Sequence, residues 1–149
     1  MTIKPLNILL ADDDMDDCNF FKQALEALPI STHLKTVTDG EQLMTYLFDH
    51  VDTLPDVLFL DLNMHRKNGF ECLTEIKDDR QLQHIPIVIF STSFPKIIID
   101  KAFKLGANVY IRKPGDFAQL KQVIHNALPI ATDKSFSKIP LNYIFNAWP

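Results

Sequence analysis

Three consecutive carboxylates, Asp12, Asp13 and Asp14, follow directly on the apolar run Leu6 to Ala11. A further carboxylate, Asp61, follows Val57-Leu58-Phe59-Leu60, and Ser91-Thr92 follow Ile87-Val88-Ile89-Phe90. Lys113-Pro114 stand just past Val109-Tyr110-Ile111. If these runs lie side by side, carboxylates, a hydroxyl and an ammonium converge on one small volume. Clustered carboxylates repel and need an offsetting cation. A hard divalent ion such as Mg²⁺ takes oxygen ligands, commonly one or two carboxylates with waters and a phosphate. Lys113 adds a second positive charge. A carboxylate in such a setting can attack phosphorus and form an aspartyl-phosphate, a reaction that mainly demands positioning and neutralisation of the phosphoryl oxygens. Taken singly, each residue has a bland reading. The Asp12–Asp14 run could cap a helix, Asp61 could form a turn, Ser91 could be a cap and Lys113 a solvated charge. Their joint occurrence at the ends of four runs favours chemistry.

The segments that would position these residues alternate between strand and helix patterns. Leu6 to Ala11 and His33 to Val37 read as strands, and Asp56 to Leu60 and Pro86 to Phe90 as strands covered on both faces. Val109-Tyr110-Ile111 reads as the fifth. Between them, Cys18, Phe21, Leu25 and Leu28 share one face of a helix that Pro29 ends. Asp39 with Gln42 and Asn68 with Glu71 open the next two helices in capping-box spacing. A fourth helix runs from about Pro95 to Leu105, with Gly106 as its C-cap. The last begins at Asp116, with Phe117, Leu120, Ile124 and Ala127 on one face. Five strands alternating with five helices imply a parallel sheet with helices on both faces and right-handed crossovers. In such a sheet the site lies beyond the carboxyl ends of the strands.

The composition narrows the classes. The chain has 149 residues, 46% hydrophobic and 23% charged, which fits one globular domain. The formal charge of −4, without a basic tract, argues against nucleic acid as a partner. Two cysteines, Cys18 and Cys72, cannot build a disulfide framework, and free thiols fit a reducing compartment. No apolar run approaches the ~20 residues of a membrane span, so the expectation is a cytoplasmic protein with no membrane partner. Asp12-x-Asp14-x-Asp16 resembles the start of an EF-hand loop, but Asp17 stands at the glycine position and Gln23 at the bidentate glutamate position. A flavodoxin would need a hydroxyl- and glycine-rich phosphate loop after the first strand, where this chain has acids.

Five segments together carry a family resemblance. They are Ile8 to Asp14, Leu58 to Met64, Asn68-Gly69, Pro86 to Ser93 and Gly106 to Pro114. In order and spacing they resemble the receiver domain of two-component response regulators over about residues 5 to 128. The resemblance implies a flavodoxin-like (βα)5 three-layer sandwich, with a parallel five-stranded sheet of order 2-1-3-4-5. By position it implies Asp61 as phosphoacceptor. Asp13 would bind Mg²⁺ directly, Asp12 mainly through water, Asn63 through its backbone carbonyl, and Asp61 would also be a metal ligand. Ser91 and Lys113 would contact phosphoryl oxygens, and Tyr110 would be the aromatic switch residue with Ser91. A cis peptide bond would precede Pro114. His65 stands where the family often has proline, followed by Arg66-Lys67, and Gly115 stands where a bulky apolar residue is common. The length and the tail resemble stand-alone regulators, including phytochrome-associated ones.

The expected protein is therefore a single-domain response regulator, with residues 1–128 as receiver domain and 129–149 as a tail. A sensor histidine kinase or a histidine phosphotransfer protein would donate the phosphoryl group. The output would be contact with another protein, and the chain would be no enzyme beyond its own phosphorylation and dephosphorylation. The rival reading is a pseudo-receiver, an interaction module that never takes phosphate, whose signature would be a missing Asp, Ser or Lys. In the tail, Pro140 with Leu141, Ile144, Phe145 and Trp148 at i, i+3, i+4, i+7 predicts a short amphipathic helix. It would dock on the chain's own body or on a second subunit, the latter giving a homodimer.

Overall fold

The computed structural model describes residues 4–133 in full and the backbone of Tyr143–Asn146. Each apolar run forms a strand: β1 (Leu6–Ala11), β2 (Thr32–Val37), β3 (Val57–Leu60), β4 (Ile87–Ser91) and β5 (Val109–Arg112). The intervening segments form α1 (Met15–Glu26), α2 (Gly40–Asp49), α3 (Gly69–Asp78), α4 (Lys96–Lys104) and α5 (Phe117–Thr132). All strand pairs are parallel, and the first five strands take the expected order 2-1-3-4-5.

The central strands bury both faces, and their residues alternate between two cores. Leu9, Leu58, Leu60, Ile87, Ile89 and Tyr110 pack with α2, α3 and α4. Ile8, Leu10, Phe59, Val88, Phe90 and Ile111 pack with α1 and α5. In the second core Phe21 meets Phe59 and Phe90 edge-on, with ring centroids 5.0 and 5.5 Å apart. Fully burying side chains of this kind stabilises by about 1.5–3 kcal/mol each before entropy is subtracted. This two-sided core fixes the register of the strand ends. Ala11 sits beside Leu60 and Leu60 beside Ile89, so the residues that follow emerge at one level.

The expected helix caps form. Asp14 accepts from the N–H groups of Asp16 and Asp17, Asp39 from that of Gln42, and Asp116 from that of Gln119. Asn68 and Glu71 close a reciprocal capping box. Gln42 instead turns its carbonyl oxygen to the N–H of Thr38, one residue before the cap.

The last helix, α5, runs through Pro129 to Thr132, into the segment expected as a tail. Proline removes one helical N–H, but Leu128 and Ala131 are buried, and the Thr132 hydroxyl donates to the Leu128 carbonyl at 2.7 Å. Two expectations need correction. First, Ile144 and Phe145 do not lie on a helix. Tyr143–Asn146 form a sixth strand, β6, parallel to β5, with Val109 beside Tyr143 and Arg112 beside Asn146. Aromatic and β-branched residues favour strands, and pairing satisfies backbone groups that β5 would otherwise present at an open edge. Leu141 and Trp148 lie outside the described residues. Second, no cis peptide bond occurs among the described residues, so Lys113–Pro114 is trans. The preference between the two forms at proline is small, about 0.5–1 kcal/mol.

Candidate functional site at the carboxyl ends of the strands

The strand ladder continues one step past the strands and carries the polar side chains with it. The Asp12 N–H donates to the Val37 carbonyl at 3.1 Å and the Asp61 N–H to the Ala11 carbonyl at 2.9 Å. The Lys113 N–H donates to the Ser91 carbonyl at 2.9 Å. Backbone hydrogen bonds thus fix Asp12, Asp61, Ser91 and Lys113 across four neighbouring strand ends. Asp12, Asp61 and Ser91 are the buried polar residues of the chain's described part.

Asp12, Asp13 and Asp61 each offer a carboxylate oxygen, and these atoms lie within 4.8 Å of one another. Asp12 is engaged at both oxygens. Oδ1 accepts from the Asp14 N–H at 3.0 Å, and Oδ2 accepts from the Lys113 ammonium at 2.8 Å. Asp13 is partly exposed, and its Oδ2 stands 3.5 Å from Nε2 of His65. Asp61 lies 3.6 Å from the same ammonium. Burial pushes the Asp61 carboxyl up to about 6, the Asp12 and Asp13 charges add to this, and Lys113 and the Asn63 N–H act against it. For Lys113 burial disfavours the ammonium. The charge of Asp61 and the hydrogen bonds and charges of Asp12 and Asp17 outweigh it and hold the pKa above the ordinary lysine value.

The loop from Asp61 to Asn68 is shaped by close backbone approach. A Cβ on Gly69 would collide with the Asp61 carbonyl and the Leu62 Cα, and one on Gly40 would collide with the Lys67 carbonyl. Arg66 takes the left-handed conformation at φ 68°. Its guanidinium reaches back to Asp39 and Glu41, with contacts of 3.9 and 3.4 Å. Lys67 pairs with Glu75. Arg66 and Lys67 are therefore tied by ion pairs to the start of α2 and to α3, while His65 faces Asp13. Gly115 has open space where a side chain would stand.

The hydroxyl of Ser91 accepts from the Ser93 N–H at 3.1 Å, leaving its own proton to donate elsewhere. Tyr110 is fully buried between Phe94 and Phe103, and its hydroxyl donates to the Ser93 carbonyl. Tyr110, expected as the aromatic switch residue, thus lies inside in this structure.

The site thus brings together Asp12, Asp13, Asp61 and Lys113 as expected, with Ser91 at the adjoining strand end. Asn63 is represented by its N–H, 3.4 Å from Asp61 Oδ1. One residue was not foreseen. Asp17, on the first turn of α1, accepts from Lys113 at 2.9 Å. Its sequence neighbourhood reads only as acidic residues at a helix start.

The grouped ligand atoms are carboxylate oxygens, and their negative charge exceeds that of the single ammonium. That donor set suits a hard cation. No helix among the described residues is long and apolar enough to cross a membrane.

Comparison with known proteins agrees with this geometry. The family model described as response regulator receiver domain matches residues 8–125. The probable methanogenesis regulatory protein FilR2 of Methanothrix harundinacea is 30% identical over 80% of this chain and 79% of its own. Response regulator Rcp1 of Synechocystis sp. is 29% identical over 80% of this chain and 84% of its own. The Mn²⁺-bound structure of Rcp1 aligns at TM-score 0.76 and 27% identity, covering 87% of this chain and 96% of that one. The phosphorylated cyanobacterial phytochrome response regulator RcpA aligns at TM-score 0.78 and 32% identity, with the same coverage. With the family model spanning most of its length and the acidic site at the ends of β1 and β3, the chain belongs to the response regulator receiver domains of two-component systems.

Proposed function

We propose that the chain takes a phosphoryl group on Asp61 from a sensor histidine kinase or a histidine phosphotransfer protein, in a Mg²⁺-dependent reaction. It then signals by contact with another protein. The observation that carries this is the placement of a buried Asp61 carboxylate at the end of β3. Two further carboxylates have oxygens within 4.8 Å of it and of each other, and an ammonium stands 3.6 Å from it. Asp61 supplies the oxygen that bonds to phosphorus as the donor's P–N bond breaks. The electron pair leaves with the donor's imidazole nitrogen, which takes up a proton. Lys113 and Ser91 provide the N–H and O–H donors for the phosphoryl oxygens. Asp13 and the Asn63 carbonyl would hold Mg²⁺ directly and Asp12 through water. The bound ion would offset the carboxylate charge and the charge on the transferred group.

Because Tyr110 is already buried, the conformational response is a change in the population of that buried state with Ser91, read out on α4, β5 and α5. The Mn²⁺-bound and phosphorylated relatives support the metal and the modification by analogy. A small phosphodonor with Mg²⁺ should label the wild-type chain on a hydroxylamine-labile carboxylate and leave Asp61→Asn unlabelled. Full labelling of the variant would overturn Asp61 as acceptor. A wild-type chain that never labels would make it a pseudo-receiver.

A further inference from the structure

The Lys113 ammonium has three N–H donors. Two are used, at 2.8 Å to Oδ2 of Asp12 and at 2.9 Å to Oδ2 of Asp17. Asp61, at 3.6 Å, is an ion-pair partner beyond hydrogen-bond distance. The two hydrogen-bonding carboxylates differ in setting. Asp12 is buried and anchored to the sheet, with side-chain exposure of 1%, whereas Asp17 reaches in from the rim with 40%. The helix that carries Asp17 is well fixed. Asp14 caps it through the N–H groups of Asp16 and Asp17, and the Cys18 thiol, next in sequence, donates to the Asp12 carbonyl at 3.4 Å. Asp17 is therefore presented to Lys113 by the cap and by a buried anchor one residue away.

We propose that Asp17 is a positioning residue for phosphoryl transfer. It holds the Lys113 ammonium on the α1 side of the site, out of hydrogen-bond distance of Asp61, and the incoming phosphoryl group must compete with it for that ammonium. The proposal rests on the reading of Asp61 as phosphoacceptor. It gives this chain a built-in brake. Three carboxylates share one ammonium, and one of the three serves only to divert it. Removing that carboxylate frees an N–H for the phosphoryl oxygens and takes away one charge that repels an anionic donor. It also lowers the negative charge that attracts a divalent cation.

The test compares Asp17→Asn, Asp17→Glu and Asp16→Asn in the full chain. Asp16 is exposed on the same turn, so its variant removes an equal charge without touching Lys113. Initial phosphorylation rates with acetyl phosphate at saturating Mg²⁺ should rise about three- to tenfold in Asp17→Asn, the scale of one charge-assisted hydrogen bond lost by a competitor. The Mg²⁺ dissociation constant should rise in the same variant. Asp17→Glu should return both quantities toward wild type, and Asp16→Asn should leave the rate within about twofold. A folding defect would slow phosphorylation as it weakened Mg²⁺ binding, so a faster rate with weaker binding separates positioning from damage. As a second readout, the ¹⁵N resonance of the Lys113 ammonium in the unphosphorylated chain should shift in Asp17→Asn and stay in Asp16→Asn. An unaccelerated Asp17→Asn with an unshifted ammonium overturns the proposal, as does equal acceleration by Asp16→Asn. Labelling of Asp61→Asn would instead overturn the acceptor reading.

Discussion

Asp61 is a carboxylate held where its charge is disfavoured, and this has a cost in the metal-free chain. Its folded pKa, about 6, lies above the ordinary value of 3.8. The folded state therefore binds this proton more tightly than the unfolded state. The associated stability is fully present below about pH 4 and is lost as pH rises through 6. At pH 7.5 the ionised group destabilises the fold, by up to about 2–3 kcal/mol. Asp61→Asn should thus melt higher than wild type at pH 7.5 without metal, and the gap should close towards pH 4 and on adding Mg²⁺ to the wild type. A calorimetric pH series with and without Mg²⁺ checks this. Lys113 presents the opposite case. With 9% side-chain exposure against 1% for Asp12, its removal strands a buried carboxylate, and losing one partner of such a pair costs about 3–5 kcal/mol. Lys113→Ala should therefore lose stability on that scale in chemical denaturation, and Mg²⁺ should stabilise this variant more than wild type. Asp12, Asp61, Ser91 and Lys113 were legible in the sequence because each directly follows, or in the case of Lys113 nearly follows, an apolar run. Asp17 was not, because its partner lies 96 residues away and only the folded geometry joins them.

At the scale of elements, the loop after β3 decides whether Asp61 is held in place. It is pinned by the Asn68–Glu71 capping box, by the close packing at Gly40 and Gly69, and by the Arg66 contacts with Asp39 and Glu41. Asn68→Ala should cost about 1 kcal/mol, the usual worth of an N-cap, measured by urea denaturation. Gly40→Ala should cost more, because the added methyl meets backbone rather than a movable side chain. Its NMR shift changes should extend through residues 61–68. The caps at Asp14, Asp39, Asn68 and Asp116 were readable because capping is local chemistry. The end of α5 is not written locally: Pro129 removes an N–H, and the burial of Leu128 and Ala131 carries the helix past it. The short helix expected in the tail was misassigned for a related reason. Tyr143-Ile144-Phe145 fits a helical spacing and a strand equally well at this length, and periodicity alone does not arbitrate. The open edge of β5 did.

At the scale of the molecule, β6 makes the sheet six-stranded and moves its edge outward from β5. Because α5 continues to Thr132, a chain ending at Asp133 keeps that helix whole and removes only β6 and what lies around it. Such a truncation should melt lower and should self-associate as concentration rises, because β5 then becomes a bare parallel edge. Calorimetry and light scattering on both lengths would show it. Unchanged melting and mass would mean that β6 contributes nothing to the fold. The bond between Lys113 and Asp12 has a different consequence, in time rather than in energy. It joins residues 101 positions apart, and in an all-parallel sheet each such closure must await the strands between. A chain emerging from the ribosome holds Asp12, Asp13 and Asp61 long before it holds Lys113. Nascent chains that stop before β5 should therefore refuse the phosphoryl group even with Asp12, Asp13 and Asp61 all present. The ability to be phosphorylated would then report that synthesis has passed the fifth strand and that folding has closed over it.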